Sequence, residues 1–211
     1  MPSSMGKEQQ SVLGSTAAAF ASCPQIGLIV IAVQDGEEDT ARSCLPHELA
    51  ASKGRVIFAT GGPSRRSSVH NALLRLKEYE VTHVLIHDGA RPWIKKPLIE
   101  KIIEGTIRHG ATIPVLPLVE TPKELEASAA GLEGKFIKAH LRREALCTAQ
   151  TPQGFSYPEI LNAHEKAAER EEREGFEYTD DAEVWGEFIG QVAVIPGDQK
   201  NKKITYPEDL K

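Results

Sequence analysis

The sequence has 211 residues, of which 40% are hydrophobic and 26% are charged, and its formal net charge is −5. This composition is typical of one soluble globular domain and excludes both a disordered chain and a broad basic surface for nucleic acid. The longest apolar run, Ile26 to Val33, is too short to cross a bilayer, and the first residues lack a signal-peptide layout. Cys23, Cys44 and Cys147 have no metal-ligand spacing, which favours reduced thiols in a cytoplasmic compartment.

Short apolar runs alternate with helical patterns along the chain. The predicted strands are Ile26–Val33, Arg55–Thr60, His83–His87, Thr112–Leu118 and Gln191–Ile195. Such nearly continuous apolar runs suit strands that are covered on both faces. The alternation predicts a single α/β domain over residues 1–211, built on a doubly wound, mostly parallel sheet.

Helical patterns and polar turns lie between these strands. The candidate helices are Ser11–Cys23, a helix capped by Ser67 or Ser68, a helix that begins at Pro97, and Glu159–Glu174. The acidic run in the last of these is interpreted as a solvated helix face. Two further stretches, Ala149–Phe155 and Tyr178–Trp185, are interpreted as polar turns into helices, with Thr179 or Asp180 as the cap of the second helix.

Two segments interrupt the alternation. Residues 120–144 are polar and contain glycines as turn signals, so they are predicted to leave the core, either as a surface loop or as an arm that reaches a partner subunit. The first ten residues, MPSSMGKEQQ, do not have the pattern of the strand and turn that normally open a doubly wound fold. The sequence therefore predicts an excursion at 120–144 and an unusual beginning of the domain.

The stretch VLIHDGARPW, residues 84–93, ends a predicted buried strand with polar side chains. In open α/β sheets, ligands bind beyond the carboxyl ends of the strands, so Asp88 stands where a ligand is expected. A carboxylate there can ligate Mg²⁺, and the guanidinium of Arg91 can meet phosphate oxygens. The alternative is that Asp88 caps the next turn and forms an ion pair with Arg91.

Two other strand ends carry candidate binding residues. Gly61 and Gly62 permit close approach of a flat or charged ligand, and a helix N-terminus near Ser68 offers free N–H groups to an anion or a base edge. A plain turn with a helix cap is the alternative interpretation. Lys202 and Lys203 follow the last predicted strand, although adjacent lysines are usually solvated. The histidines form no set with metal-ligand spacing.

Taken in order, several motifs resemble those of one family, the 2-C-methyl-D-erythritol 4-phosphate cytidylyltransferases. The motifs are GG-x-x-R-x-x-SV, HD-x-ARP, V-x-T, R followed by TPQ-x-F, TDDA and N-x-K-x-T-x-PEDL, between Gly61 and Leu210. The resemblance implies a homodimeric, Rossmann-like nucleotidyltransferase with a protruding dimerisation arm. Such an enzyme joins CTP and methylerythritol phosphate into CDP-methylerythritol and pyrophosphate, with Mg²⁺ or another divalent cation, in non-mevalonate isoprenoid biosynthesis. It would be cytoplasmic, or plastid if a transit segment was removed, with no nucleic-acid or membrane partner.

The resemblance also implies roles for residues that match the nucleotide-binding motifs. Gly61, Gly62 and Ser68 would hold the cytosine side of CTP. Asp88 would organise the metal ion and bind substrate. Lys203 would lie beside the α-phosphate and act in catalysis.

A second group of matching residues would bind the other substrate. Arg91 belongs to the same loop as the metal-binding carboxylate. Thr121, at the start of the arm, and Arg143, at its end, would grip methylerythritol phosphate, with one of them supplied across the dimer. Thr151 would help to order that site.

The sequence departs from the family pattern in three places. The family opens with a strand, a glycine-rich loop and a lysine that together wrap the triphosphate, and MPSSMGKEQQ contains only fragments of that pattern. Lys7 is the candidate for the triphosphate lysine, and the phosphate loop is expected to be incomplete. Gly89 stands where the family more often has Ala, and Glu120 stands where Asp is usual.

Three other functions compete with this interpretation. A sister enzyme that makes CDP-ribitol from ribitol 5-phosphate shares much of the motif set, and residues of the arm decide between the two polyol phosphates. A non-catalytic nucleotide-binding relative without the triphosphate loop is the alternative from a different class. A plain scaffold domain would leave the ordered motifs unexplained.

Overall fold

The computed structural model describes residues 11–52, 54–126 and 135–210. The helices are α1 (Val12–Ala21), α2 (Glu38–Ser43), α3 (His47–Ala51), α4 (Arg65–Leu74), α5 (Lys96–His109), α6 (Glu159–Glu174) and α7 (Asp181–Phe188). The strands are β1 (Ile29–Val33), β2 (Val56–Thr60), β3 (His83–Ile86), β4 (Ala111–Pro117), β5 (Lys123–Leu125), β6 (Ile137–His140), β7 (Cys147–Ala149), β8 (Gln153–Ser156) and β9 (Ala193–Pro196). In the described parts of the chain, no helix is long and apolar enough to cross a membrane.

The main strands form a parallel pair and a five-stranded sheet. Strands β1 and β2 pair in parallel, with Ile29 opposite Val56. The larger sheet has the order β3–β8–β4–β7, and β9 also pairs with β4. Because β8 is antiparallel to both β3 and β4, those two strands share one direction, and β9 is parallel to β4. The predicted α/β class with a mostly parallel arrangement is confirmed, and β7 and β8 are the reversed strands.

The helices follow the predicted pattern closely, with one corrected cap. Helix α6 has the predicted bounds, α1 lies within the predicted segment with Ser11 as its cap, and Asp180 caps α7. Helix α4, however, is capped by Ser64 and not by Ser67 or Ser68. Ser67 completes a reciprocal capping box with Ser64, so it lies inside the first turn.

The interpretation of residues 149–155 as a polar turn into a helix is wrong. The segment instead contains the end of β7 and most of β8, in the middle of the larger sheet. Gln153 on β8 is buried, and its amide donates to Asp180 Oδ2 (2.9 Å) and accepts from the backbone N–H of Ala182 (3.0 Å). A partner distant in sequence thus satisfies the polar side chain within the sheet, which local polarity does not indicate.

Apolar side chains from the helices cover the strands. Phe20 of α1 packs in one buried cluster with Ile99 and Ile102 of α5, while Phe155 of β8 and Trp185 of α7 belong to another. The side of α5 that carries Ile99 and Ile102 therefore faces the core. These clusters fix the helices against the strands and so fix the loops that follow the strands.

The described ends of the segment 120–144 form an antiparallel pair of strands, β5 and β6, with Lys123 opposite His140. Residues 127–134 lie outside the described residues. We call the described residues 119–126 and 135–146, which include this β5–β6 pair, the arm.

Candidate active site

The candidate site lies where three parts of the chain leave strands β2, β3 and β9. Asp88 stands two residues after β3, Arg65 is the first residue of α4, and Lys203 lies beyond β9. Because Arg65 Nε lies 3.5 Å from Asp88 Oδ1, the carboxyl ends of β2 and β3 meet at one place. This is the location at which open α/β sheets bind their ligands.

Asp88 is surrounded by three cationic side chains. Its Oδ2 lies 3.3 Å from Arg91 Nε and 3.5 Å from Lys203 Nζ, in addition to the contact of Oδ1 with Arg65. Burial alone would raise the pKa of Asp88, but Lys203, Arg65 and Arg91 together outweigh burial and hold the pKa below its ordinary value. The pair with Arg91 that the sequence offered as an alternative is therefore one part of a larger, net positive cluster.

Arg65 also contacts a second, buried carboxylate, that of Asp181. Its Nη2 donates to Asp181 Oδ2 at 2.8 Å, and His164 Nε2 lies 3.2 Å from the other oxygen of Asp181. Burial works against ionisation of Asp181, but the neighbouring His164 and Arg65 lower its pKa all the same. The ionised carboxylate therefore fixes the guanidinium of Arg65 between Asp181 and Asp88.

A neutral histidine orders the backbone of the same loop. Burial lowers the pKa of His87 to about 4, so its ring is neutral at pH 7. Its Nε2 faces the carbonyl of Arg91 (3.3 Å), which can only accept, so Nε2 carries the proton and Nδ1 accepts from the hydroxyl of Thr151 (3.0 Å). Thr151 Oγ1 in turn accepts from the N–H of Asp88 (3.1 Å). Thr151, expected to help order the substrate site, thus holds the loop of Asp88.

The segment that carries Lys203 is anchored by a buried asparagine. Asn201 Nδ2 donates to the carbonyl of Thr151 (2.8 Å), and the carbonyl of Asn201 accepts from Arg91 Nη1 (2.9 Å). One residue past Lys203, the N–H of Ile204 donates to the carbonyl of Ala90 (2.9 Å). The Lys203 side chain is half-exposed between these two anchors, so it is directed at Asp88 while it remains accessible to a ligand.

Ser68 lies beside Gly61 and Gly62, at the end of β2. The N–H of Gly61 donates to the carbonyl of Val33 (2.6 Å), and the N–H of Gly62 donates to Ser68 Oγ (3.0 Å). A Cβ on Gly62 would lie 2.7 Å from the Cβ of Ser67, so a side chain does not fit there. The space beside Gly62 is thus filled by the cap of α4, and close approach of a ligand to the two glycines stays a prediction.

The candidate residues of the arm lie apart from this cluster. Arg143 is half-exposed, and its Nη1 donates to the carbonyl of Val119 (2.9 Å). Thr121 is exposed. Within residues 11–52, 54–126 and 135–210, no hydrogen bond or ion pair joins either side chain to Asp88, Arg91 or Lys203. Lys7 lies outside the described residues.

Sequence reasoning assigned no role to several residues that build the site. These are Arg65, His87, Asp181 and Asn201. Each of them stands inside one of the quoted motifs: the R of GG-x-x-R, the H of HD-x-ARP, the second D of TDDA and the N of N-x-K. The motifs were therefore the available signal, but contacts between them depend on the tertiary fold.

The cluster of three cations offers one carboxylate, that of Asp88, as a ligand for a metal ion. In the described part of the chain, no three His, Cys, Asp or Glu side chains are grouped to hold a metal ion. The oxygens of Asp88 are shared among cations at 3.3 Å or more, and a divalent ion with phosphate ligands can replace such loose contacts. Since Mg²⁺ often binds through one carboxylate plus substrate phosphates, this donor set fits a shared ion and not an all-protein metal site.

Comparisons with known proteins agree with the motifs and the fold. A family model described as IspD, 2-C-methyl-D-erythritol 4-phosphate cytidylyltransferase, matches residues 5–211. The chain is 37% identical over 205 residues to a bifunctional IspD/IspF enzyme of Brucella abortus, which covers 95% of this chain but 48% of that protein. It is also 37% identical to a 2-C-methyl-D-erythritol 4-phosphate cytidylyltransferase of Acidobacterium capsulatum, over 94% of this chain and 80% of that one.

Solved structures point the same way. The crystal structure of 2-C-methyl-D-erythritol 4-phosphate cytidylyltransferase from Thermus thermophilus superposes with a TM-score of 0.72 at 31% identity, covering 95% of this chain and 85% of that one. The chain spans about half the length of the bifunctional relatives that it matches. With a family model that covers nearly all of it, the chain belongs to the 2-C-methyl-D-erythritol 4-phosphate cytidylyltransferase family.

Proposed function

We propose that this protein joins CTP and 2-C-methyl-D-erythritol 4-phosphate, giving CDP-methylerythritol and pyrophosphate for isoprenoid biosynthesis. Family membership supports the reaction class, and the observation that carries the proposal for this chain is the set of three cations around Asp88. Both substrates are polyanions. A net positive cluster at the carboxyl ends of the strands suits them.

The chemistry requires alignment and charge neutralisation more than covalent catalysis. A phosphate oxygen of methylerythritol phosphate forms a bond to the α-phosphorus of CTP. The bond from that phosphorus to the bridging oxygen breaks, and pyrophosphate leaves with the bonding electrons. Negative charge grows on the α-phosphate, where we assign Lys203 because it is both accessible and anchored.

Asp88 and Arg65 have complementary roles in this proposal. Asp88 offsets the mutual repulsion of the three cationic side chains and holds them around one point, and it is the residue that would hold Mg²⁺. A bound Mg²⁺ would supply further neutralisation of phosphate charge. Arg65, held by Asp181, is pre-oriented, so it loses little freedom when it meets a phosphate.

The turn that contains Gly61 and Gly62 supports a preference for cytosine. The N–H groups of Gly61 and Gly62 already donate within the protein, so the groups left for a base are carbonyl oxygens. Carbonyls accept from the exocyclic amino group of cytosine, whereas uracil has an acceptor at that position. A base with the wrong group would leave two acceptors facing each other, which is unfavourable.

The arm supports the proposed homodimer. Six large apolar side chains on it are exposed, and these are Val119, Leu125, Phe136, Ile137, Leu141 and Leu146. Contiguous exposed apolar side chains are typical of an interaction surface. We infer that two arms pack together and that Arg143 or Thr121 of one protomer completes the methylerythritol phosphate site of the other.

Pyrophosphate release with a panel of substrates tests the proposal. CTP with methylerythritol phosphate and Mg²⁺ should give turnover. UTP should be at least about tenfold poorer, as the loss of one good hydrogen bond predicts. Turnover with ribitol 5-phosphate in place of methylerythritol phosphate would assign the protein to the sister activity. Binding of CTP without any turnover would favour the non-catalytic relative.

A further inference from the structure

Helix α6 carries a histidine on its buried face. His164 is fully buried, and the other buried residues of this helix are apolar, namely Ile160, Leu161, Ala163 and Ala167. An apolar side chain would suit the position by the pattern of the helix. Because a buried polar group is costly without a hydrogen-bonding partner, the imidazole of His164 needs a partner inside the protein.

The carboxylate of Asp181 lies within reach of that imidazole. His164 Nε2 is 3.2 Å from Asp181 Oδ1, and Asp181 is itself buried as the first residue of α7. A carboxylate oxygen can only accept, so a hydrogen bond at this contact needs a proton on Nε2. Burial raises the pKa of Asp181, and His164 is the leading group among those that lower this pKa against burial.

Asp181 uses its two oxygens on two different side chains. Its Oδ2 accepts from Arg65 Nη2 at 2.8 Å, while its Oδ1 faces His164. The backbone of Asp181 is fixed by the start of α7, which Asp180 caps. The remaining freedom lies in the side chain, because the terminal torsion of an Asp is broad. A donor to Oδ1 therefore fixes the plane of the carboxylate, and with it the direction in which Oδ2 points.

Arg65 carries this orientation to the candidate site. It contacts Asp181 at 2.8 Å but Asp88 only at 3.5 Å, and about one-third of its side chain is exposed. Its tight contact is therefore the buried one, and its loose contact lies in the site. Gly62, which the proposed function assigns to cytosine, stands three residues before Arg65. The phosphates that Arg65 would meet are therefore those of CTP.

Two residues of α4 also pack against His164. Arg66 Nη1 lies 3.4 Å from the carbonyl of His164, and Arg66 Nε pairs with Glu171 of α6. The ring of His70 stacks on that of His164, with centroids 6.4 Å apart and 3° between the planes. Burial, together with the neighbouring His164 and Arg66, lowers the pKa of His70. Among these neighbours of His164, Asp181 is the one that contacts Arg65.

We propose that His164 is a positioning residue for the nucleotidyl transfer. With a proton on Nε2 it donates to Asp181 Oδ1, fixes the plane of that carboxylate, and so keeps the guanidinium of Arg65 directed at the phosphates of CTP. The inference rests on the proposed function for the identity of the ligand, whereas the order His164, Asp181, Arg65 rests on the distances between these side chains. Loss of the imidazole would weaken CTP binding although His164 lies outside the cluster around Asp88.

Nitrogen NMR of the side chains tests the order of contacts without any substrate. In the unaltered protein, His164 should carry a proton on Nε2, and the guanidinium protons of Arg65 should exchange slowly with solvent. In His164→Leu, which fills the space without a donor, exchange at Arg65 should quicken by about tenfold, as the loss of one good hydrogen bond predicts. His164→Gln offers an amide N–H near the position of Nε2, so it should restore most of the protection.

The matched control is His70→Leu, which makes the same chemical change in the neighbouring ring of the stack. His70 stacks on His164 but makes no recorded contact with Asp181 among the described residues, so exchange at Arg65 should stay as in the unaltered protein. An effect of His70→Leu equal to that of His164→Leu would mean that general packing, and not the donor to Asp181, holds Arg65.

Steady-state kinetics tests the consequence for the reaction. His164→Leu should raise KM for CTP about tenfold and change KM for methylerythritol phosphate little. In an Arg65→Ala background, the same substitution should change KM for CTP by less than about twofold, because a residue that acts through Arg65 has nothing left to orient. A merely structural role would give the same factor in both backgrounds.

The outcomes are separable from those of the proposed function, because the NMR readout does not involve turnover. Unchanged exchange at Arg65 in His164→Leu, a proton on Nδ1 alone, or equal factors in the two kinetic backgrounds would overturn the inference. If His164→Leu does not fold, the position of the proton and the protection of Arg65 in His164→Gln decide in its place. Absence of turnover with the expected NMR pattern would contradict the proposed function and support the hold of His164 on Arg65.

Discussion

The charged cluster of Asp88, Arg65, Arg91 and Lys203, called the corner from here on, and the arm are both polar in sequence, but their contacts differ. In this cluster, Asp88 contacts Arg91 of its own loop and two side chains from distant segments, Arg65 and Lys203, and Asp181 holds Arg65 in place. On the arm, the polar contacts are local, such as Lys123 Nζ to His140 Nδ1 at 3.0 Å. Phe136 on the arm is 72% exposed.

The difference separates the part of the site that one copy of the chain forms by itself from the part that the proposed homodimer would complete. The corner is ordered by its own chain, and its burial makes its charges effective. Apolar side chains of the arm such as Phe136 are left exposed by the described chain, and in the proposed homodimer a second arm would cover them. Substitutions at the corner should therefore alter stability and turnover in every protomer, whereas substitutions on the arm should act through assembly and substrate affinity.

The largest expected effect is the dependence of stability on pH through His87. Its pKa in the folded protein is about 4, below the ordinary 6.5, so the unfolded chain takes up the proton first as the pH falls. Stability should be complete above pH 6.5 and fall by up to about 3 kcal/mol toward pH 4. Asp88, whose pKa is also lowered, stays ionised in this window.

Urea unfolding between pH 7 and pH 4 measures this dependence. The variant His87→Asn should have a flatter profile, because the group that titrates is gone. The matched control is His83→Asn, at an exposed position, which should keep the profile of the unaltered protein. An unaltered slope in His87→Asn would contradict a neutral, buried His87.

Next in size is the loss of turnover in Asp88→Asn. Removing the carboxylate charge leaves Arg65, Arg91 and Lys203 without their common partner, so turnover should fall by about 100-fold or more. Circular dichroism should show an intact fold, and Asp39→Asn, on the exposed side of α2, should retain full activity. Nearly normal turnover in Asp88→Asn would remove this residue from the proposed metal and phosphate site.

A smaller effect on stability is expected from Asp181→Asn. The side chain is buried and pairs with Arg65, which is about one-third exposed, so partial screening reduces the cost to about 2 kcal/mol. Glu165→Gln removes an exposed pair with Lys77 and should cost less than about 0.5 kcal/mol. Equal unfolding free energies for the two variants would mean that Asp181 does not hold Arg65.

The smallest effect is expected on the arm. Arg143→Ala should raise KM for methylerythritol phosphate about tenfold, through loss of a charged contact, while KM for CTP changes little. Phe136→Ser should shift sedimentation toward the monomer, because it removes exposed apolar area from the proposed interface. Equal effects of Arg143→Ala on both substrates, or an unchanged dimer in Phe136→Ser, would break the distinction between the corner and the arm.

Local sequence patterns were sufficient to predict much of the fold. The bounds of α6 follow from its charge pattern and the cap of α7 from Asp180, and the apolar runs identify β1 to β4 within a few residues. Strand β8 was missed because its residues include a buried glutamine whose partners come from the N-terminus of α7. A polar strand satisfied by distant groups has no local signature.

The residues of the candidate site also fall into two groups, those that the sequence predicts and those that depend on the tertiary fold. The position of Asp88 at a strand end, and that of Arg91 beside it, follow from sequence because they depend on neighbouring residues. The contact between Arg65 and Asp181 joins residues 116 positions apart, and the anchoring of Thr151 by Asn201 joins residues 50 apart. Such pairs depend on how α4, α7 and the last loop pack, which spacing within a single sequence does not determine.

The most direct test of the central claim is phosphorus NMR of CTP, methylerythritol phosphate and Mg²⁺ incubated with the protein. We expect the phosphorus signals of pyrophosphate and of a new diphosphate diester to grow together, and only when both substrates are present. Unchanged substrate signals, or pyrophosphate that forms without methylerythritol phosphate, would contradict nucleotidyl transfer at the corner around Asp88.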